Sequence, residues 1–214
     1  MPRKYELVDA NNAHTIGHTF YRVKALRDFG DVHAGDVGGW IEDDTCLSQD
    51  GSAWVYGNAR VYDGACVYGN ARVYDGACVY GSARVYGNAC VYGDAEVYGN
   101  AEVHEFAEVY GNACVYDGAR VYGSACVYGN AEVYGNAEVH EYTEVEGNAC
   151  VYDGARVYGS ACVYDGAEVY GNATIHGCAA VYGNARVYGN AEVHEFAEVY
   201  GSANIAEHAQ GEQP

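Results

Sequence analysis

From Ala53 to about His208 an aliphatic residue returns every six positions, from Val55, Val61 and Val67 through Ile175 to Val199 and Ile205. The unit is Ala-x-Val-Tyr-Gly-Asn, and it recurs without an insertion. A fixed short period of this kind dictates the fold before any single residue does. Ala and Val are two apart, so in an extended segment both face one side while x and Tyr face the other. Ala and Val are therefore core, and x and Tyr are surface. The pair that follows, Gly-Asn or sometimes Asp-Gly or Gly-Ser, is turn chemistry. In nearly every unit its second position holds Asn, Gly, Ser or Asp, of which Gly and Asn best tolerate a left-handed backbone, and the corner is expected there. A helix is excluded, because the period does not fit 3.6 residues per turn and a glycine in every second turn would cost about 1 kcal/mol each.

Short strands joined by equal corners close into a coil, and three six-residue sides give a triangular coil of eighteen residues in which each residue stacks on the one eighteen later. The motif Val-Tyr-Gly-Asn-Ala-Arg resembles the hexapeptide repeat of left-handed β-helix proteins: an aliphatic residue, usually a small one next, two free positions, then a small residue such as Ala. This chain keeps the aliphatic and the Ala but places Tyr where that family prefers a small side chain. The resemblance implies an all-β fold, a left-handed parallel β-helix of about nine coils. The left hand comes from the family alone, as an exception to the right-handed crossover rule.

Residues 1–52 differ from the repeat. Lys4 to Asp9 and His18 to Asp28 read as two strands, with Asn11-Asn12 and Ile16-Gly17 as turns, predicting a β-hairpin. The Gly-rich stretch Gly30 to Ile41 reads as irregular. Because an open solenoid edge invites pairing with other chains, residues 1–52 are assigned as the N-terminal cap, 53–208 as the solenoid and 209–214 as a polar tail. The stretch Tyr21 to Glu42, with Leu47-Ser48-Gln49, also resembles uncharacterised bacterial and phage or prophage hexapeptide-repeat proteins, some of them labelled transferases. Its glycines are not a phosphate loop, since neither a Gly-Lys-Ser/Thr ending nor a following helix is present.

Composition narrows the picture. Half of the 214 residues are hydrophobic, but Ala, Val and 23 Tyr supply most of them, which suits a thin rod and would not fill a globule. The net charge is −19, of which the first fifty residues carry −4 and the remainder −15. Such a surface repels nucleic-acid phosphates and anionic lipid, so direct nucleic-acid backbone binding and membrane association are not expected. Met1 to Glu6 holds no apolar run and no stretch approaches membrane-spanning length, which makes a cytoplasmic location the expectation.

Sorted by face, the x positions form ladders. One face reads Cys66, Arg84, Glu102, Arg120, Glu138, Arg156, Thr174, Glu192, alternating in charge. The second (Arg60, Cys78, Glu96, Cys114, Glu132, Cys150, Glu168) and third (Trp54, Arg72, Cys90, Glu108, Cys126, Glu144, Cys162) place neutral thiols between carboxylates. Successive cysteines on these two faces lie two coils apart, roughly 9.5 Å, beyond the reach of a disulfide, so free and sluggish thiols are expected. Tyr62, Tyr80, Tyr98, Tyr116, Tyr134, Tyr152, Tyr170 and Tyr188 predict an unbroken ring ladder that shields the backbone, with a binding surface as the alternative.

Four units break the pattern on one corner: Val103-His104-Glu105-Phe106, Val139-His140-Glu141-Tyr142, Ile175-His176-Gly177-Cys178 and Val193-His194-Glu195-Phe196. A metal reading would use His176 and His194, one coil apart, with Glu195 or Glu141; a structural role for the histidines is the simpler reading, and neither a metal nor a cofactor is expected. The aromatic residues at this corner must either accept a positive φ or reshape the turn, and each is expected to lie over the small residue of the neighbouring coil, Phe106 and Tyr142 sharing the space above Ser124, as an apolar ridge. Acyl transfer rests on the family resemblance, whose enzymes generally carry a projecting loop, a catalytic His and a C-terminal helix that helps form trimers. No catalytic residue is assigned, and His208 is a weak candidate. The function read from the sequence is a non-enzymatic rigid rod, a structural or protein-interaction module, phage-associated and self-assembling end to end. A trimeric acyltransferase is the alternative.

Overall fold

Alternation does in three dimensions what it promises along the chain. From Ala53 to Val193 the Ala and Val of the repeat are almost entirely solvent-free, joined by Thr143 at an Ala position and Ile175 at a Val position. The structure, a computed structural model, describes residues 2–8, 14–15 and 17–206. Each side of a coil contributes one short strand made of x and Val, as in Cys78–Val79, which pairs in parallel with Arg60–Val61 behind it and Glu96–Val97 ahead. Every pairing in the repeat joins residues eighteen apart, as the period predicts. Backbone bonds extend beyond the strand: Cys78 N–H donates to Ala95 O at 3.0 Å, Tyr80 N–H to Val97 O at 3.0 Å and Ser82 N–H to Gly99 O at 2.7 Å. The strands form three sheets, and the chain is an all-β parallel β-solenoid with nine stacked strands on one face. The core is one Val and one Ala deep per side, and each fully buried Val contributes about 1.5 to 3 kcal/mol.

The corners correct the expectation. Left-handed backbone sits on the first residue of the turn pair, at Gly or at Asp63, Asp75, Glu105, Asp117, Glu141, Asp153, Asp165 and Glu195, and not on the Asn or aromatic that follows. The reason is contact between coils. At a positive φ the Cβ points along the rod: one added to Gly123 would lie 2.6 Å from the Glu141 amide nitrogen, and one on Gly99 would lie 2.8 Å from that of Asp117. At this left-handed first position two side-chain-bearing residues therefore never follow each other along the rod among the described residues, and Gly123 separates Glu105 from Glu141.

At the N-terminal end β1 (Tyr5–Val8) and β4 (Tyr21–Ala25) pair antiparallel, as the hairpin reading predicts, with a small pair, β2 (His14–Thr15) and β3 (His18–Thr19), between them. Asp9, Asn11, Asn12 and Ile16 lie outside the described residues, as do His208 and the tail assigned to 209–214. The stretch read as irregular contains a strand, β5 (Val37–Ile41), antiparallel to β4 and parallel to Arg60–Val61. It was hidden because Gly38 and Gly39 lower its apparent strand character, yet these glycines let it press on the first coil: a Cβ on Gly38 would lie 2.4 Å from Val55 O. Lys4 is buried over the end of the core, its Nζ donating to Ala53 O at 2.9 Å, and burial pushes its pKa down to about 8. Trp54 meets Tyr5 and Phe29 edge-on, which closes the apolar end.

The corner rule makes a direct test. Gly123→Ala adds both a strained φ and a clash with Glu141, and is expected to cost about 2 to 4 kcal/mol. Gly201→Ala, where a Cβ meets nothing within 4 Å, should cost about 1 kcal/mol from backbone strain alone. Urea unfolding midpoints of the two variants measure the difference.

Candidate interaction surface

The outward positions are joined to one another along the rod. The eight tyrosines from Tyr62 to Tyr188 form the unbroken stack expected of them, with ring centroids 4.8 to 5.2 Å apart. A second stack runs Tyr68, Tyr86, His104, Tyr122, His140, Tyr158, His176, His194. Histidine thus replaces tyrosine without breaking the column. The third column stacks from Tyr74 to Tyr128 and again from Tyr164 to Tyr200, with Glu146 between the two runs.

Several tyrosines also reach a glutamate at the x position of the next coil, sixteen positions on. Tyr80 donates to Glu96 at 2.9 Å, Tyr92 to Glu108 at 2.8 Å and Tyr116 to Glu132 at 2.9 Å. These bonds escape a reading by face, because they cross from the aromatic column to the x column of a different coil; the eighteen-residue period minus the two-residue spacing is the signal that finds them. Burial, then the hydrogen-bonded carboxylate, raises the pKa of all three phenols. On the histidine face Tyr86 meets Glu102 and Tyr122 precedes Glu138, His104 and His140 precede Arg120 and Arg156, and His176 precedes Glu192. Burial lowers the pKa of His104, against the opposing pull of Glu105 and Glu102. The predicted charge ladder is present as Arg84–Glu102 and Arg120–Glu138, both 3.4 Å, and Arg156–Glu138 at 3.6 Å. Being exposed, each contributes at most about 1 kcal/mol.

The nine cysteines are free. Cys114, Cys126 and Cys150 have raised pKa values because of burial first and the glutamates before and after them second. Cys46, buried in the cap, is pushed up to about 11 by desolvation. His176 and His194 stack with centroids 5.7 Å apart, and His176 Nε2 lies 2.9 Å from Glu192 Oε1. The rings are parallel rather than convergent, and among the described residues no group of three His, Cys, Asp or Glu converges as a metal site would.

At one place a column is opened. Tyr56 donates to Asp31 of the cap at 2.7 Å and turns edge-on to Tyr74, at 86°. A cleft of about 330 Å³ results, lined by Asp31, Tyr56, Gly57, Arg72, Tyr74 and Asp75.

The irregular corner is the most exposed apolar feature of the repeat. Phe106, Tyr142 and Phe196 are 64%, 72% and 83% exposed. Ser124 between the first two is exposed as well, so the rings do not lie over it and the expected ridge is not formed. The positive φ belongs to Glu105, Glu141 and Glu195 in front of the rings, which frees each aromatic from the backbone strain assigned to it. Three units change in concert: Val103 to Val109, Val139 to Val145 and Val193 to Val199 all read Val-His-Glu-aromatic-Ala/Thr-Glu-Val. In the second, Thr143 replaces Ala in the core and donates its hydroxyl to His140 O at 2.7 Å.

Three stretches of the rod, residues 65–81, 83–99 and 179–195, match the YdcK β-solenoid repeat. A 45-residue stretch is 47% identical to the uncharacterized acetyltransferase YdcK of Escherichia coli (strain K12). It covers 21% of this chain and 14% of that protein. The likeness is one of repeat architecture over a minor part of both chains. Among the described residues, no helix is long and apolar enough to cross a membrane.

Thiols and phenols with raised pKa values hold their protons more tightly folded than unfolded. The stability they lend is complete below the ordinary values of 9.0 and 10.0 and is lost as pH rises through the folded ones. Circular dichroism of the β-structure should therefore persist at pH 9 and then collapse on further alkalinisation, with phenolate absorbance appearing in the same step. At neutral pH a thiol-alkylating reagent should label the exposed Cys178 first and the buried Cys46 last, read by mass spectrometry.

Proposed function

We propose that this chain is a non-enzymatic rigid rod that works as a protein-interaction module. The observation that carries this reading is that the repeat's exposed aromatic residues, apart from Tyr200 near the last described coil, share one corner. The faces spend their rings, hydroxyls and carboxylates on contacts between coils, whereas Phe106, Tyr142 and Phe196 point their exposure along a single corner. Exposed aromatic surface of this kind marks interaction sites. Stacking every eighteen residues without an inserted loop holds the three rings at fixed intervals, roughly 9.6 and 14 Å along the axis. A rod with preset spacing presents its contacts at little entropic cost.

Acyl transfer is the second reading, favoured by the name of the relative that shares the 45-residue stretch. Of the histidines on this rod, His104 and His140 are stacked between tyrosines and His176 between Tyr158 and His194, with both ring faces occupied, while His194 stacks on His176.

A photo-crosslinking residue placed at Phe106 is expected to trap discrete protein adducts in cells, while one at Asn100, also exposed and on a different corner, traps none. Equal adducts at both positions would defeat the reading. So would saturable acetyl-CoA binding with turnover that disappears in His104→Asn or His140→Asn.

A further inference from the structure

We infer that the aromatic corner recognises an extended, arginine-bearing segment of a partner protein, each guanidinium lying on one exposed ring and pairing with the glutamate immediately before it. This rests on the interaction-module reading and gives it a partner chemistry. The concerted change in the three units is its basis. Where the same column elsewhere holds a neutral pair, Gly-Asn, Gly-Ser or Gly-Cys, and Asn70 donates its side-chain amide to Asn88 at 3.1 Å, these units install an exposed carboxylate immediately before the ring. Glu105, Glu141 and Glu195 are all exposed, and each takes a left-handed backbone that glycine would occupy more readily. The glutamates two positions after the rings belong to the face, where Glu108 and Glu198 accept the hydroxyls of Tyr92 and Tyr182. A packing role would be served by the ring alone; the acid in front of it adds charge complementarity to a cation.

The chemistry selects among cations. An ammonium or guanidinium is attracted to the face of an aromatic ring, and a guanidinium can also stack flat and fork two bonds to a carboxylate. The rod's charge of −15 beyond residue 50 draws a basic segment in and repels an acidic one. Three rings spread over five coils span roughly 24 Å, which seven or eight residues of extended chain cover. An extended segment therefore fits better than a compact basic patch, and His104, His140 and His194, stacked at least on one side by the neighbouring ring, form the floor beside which it would run.

The test uses the whole chain and two synthetic nonapeptides of equal charge, one arginine-rich and one lysine-rich, with affinity read by fluorescence anisotropy at physiological salt. The wild-type rod should prefer the arginine peptide. The triple variant Phe106→Asn, Tyr142→Asn, Phe196→Asn keeps every carboxylate and restores the repeat's own corner residue. It should keep its melting temperature and lose affinity by about tenfold or more. Unchanged affinity in the triple variant would show diffuse attraction to an acidic surface and overturn the inference, as would equal binding of the two peptides. Sedimentation showing that wild type self-associates and the triple variant does not would assign the corner to a second copy, which also overturns it. If Phe106 crosslinks a cellular partner whose trapped segment carries no arginine, the interaction-module reading survives and this inference fails.

Discussion

Every feature of the rod depends on one distance, the separation of neighbouring coils set by backbone hydrogen bonds between residues eighteen apart. Cys114 N–H to Ala131 O and Tyr116 N–H to Val133 O, at 2.9 and 3.0 Å, are typical of bonds repeated on every side of every coil. That spacing brings identical positions into contact. It makes Val sit on Val, ring on ring and corner on corner, so the chemistry of each position is judged against its own repeat. Rings tolerate this well, since offset stacking is favourable. Carboxylates do not, and the rod answers by alternating Glu with Cys or Arg and by giving several glutamates a tyrosine hydroxyl from the coil before. Corner Cβ atoms tolerate it least, and glycine intervenes.

The same constraint explains why the faces and the corners do different work. A face residue has partners before and after it and is half-buried by them. A second-position corner residue projects away from the axis, and changing it disturbs few neighbours. Asn, Ser, Cys, Phe and Tyr can all stand there in one column. Variation that would be costly on a face is cheap at that position, which is where a binding function can be written onto a uniform scaffold. The glutamate in front is a different matter, because it replaces glycine at a left-handed position that a side chain occupies with strain. Its recurrence in all three aromatic units is what separates this corner from ordinary surface drift.

The cap shows the solenoid logic meeting ordinary sheet logic. Strand β4 is antiparallel to both β1 and β5, and β5 continues into the parallel ladder through Trp40 opposite Arg60 and Ile41 opposite Val61. The first coil is thus paired along that face. Lys4 closes the end by placing an ammonium on carbonyl oxygens of Asp50 and Ala53, at 3.5 and 2.9 Å.

What the sequence determined by itself was everything that follows from period: the eighteen-residue coil, the three faces, the Ala and Val core, the Tyr62 to Tyr188 stack and the cysteine spacing. A period of six with fixed alternation leaves one register, because a slip of one residue would expose every valine. Tertiary structure decided what period cannot express. Which of two turn residues bears the left-handed backbone depends on the approach of the next coil, and the placement of Gly38 and Gly39 in a strand depends on contact with Val55 and Trp54. The bond from Tyr80 to Glu96 requires a side chain to lean across coils, and the exposure of Phe106 and Tyr142 over an uncovered Ser124 depends on rotamers and turn geometry. Those are distances between groups far apart in the chain, and no local preference encodes them.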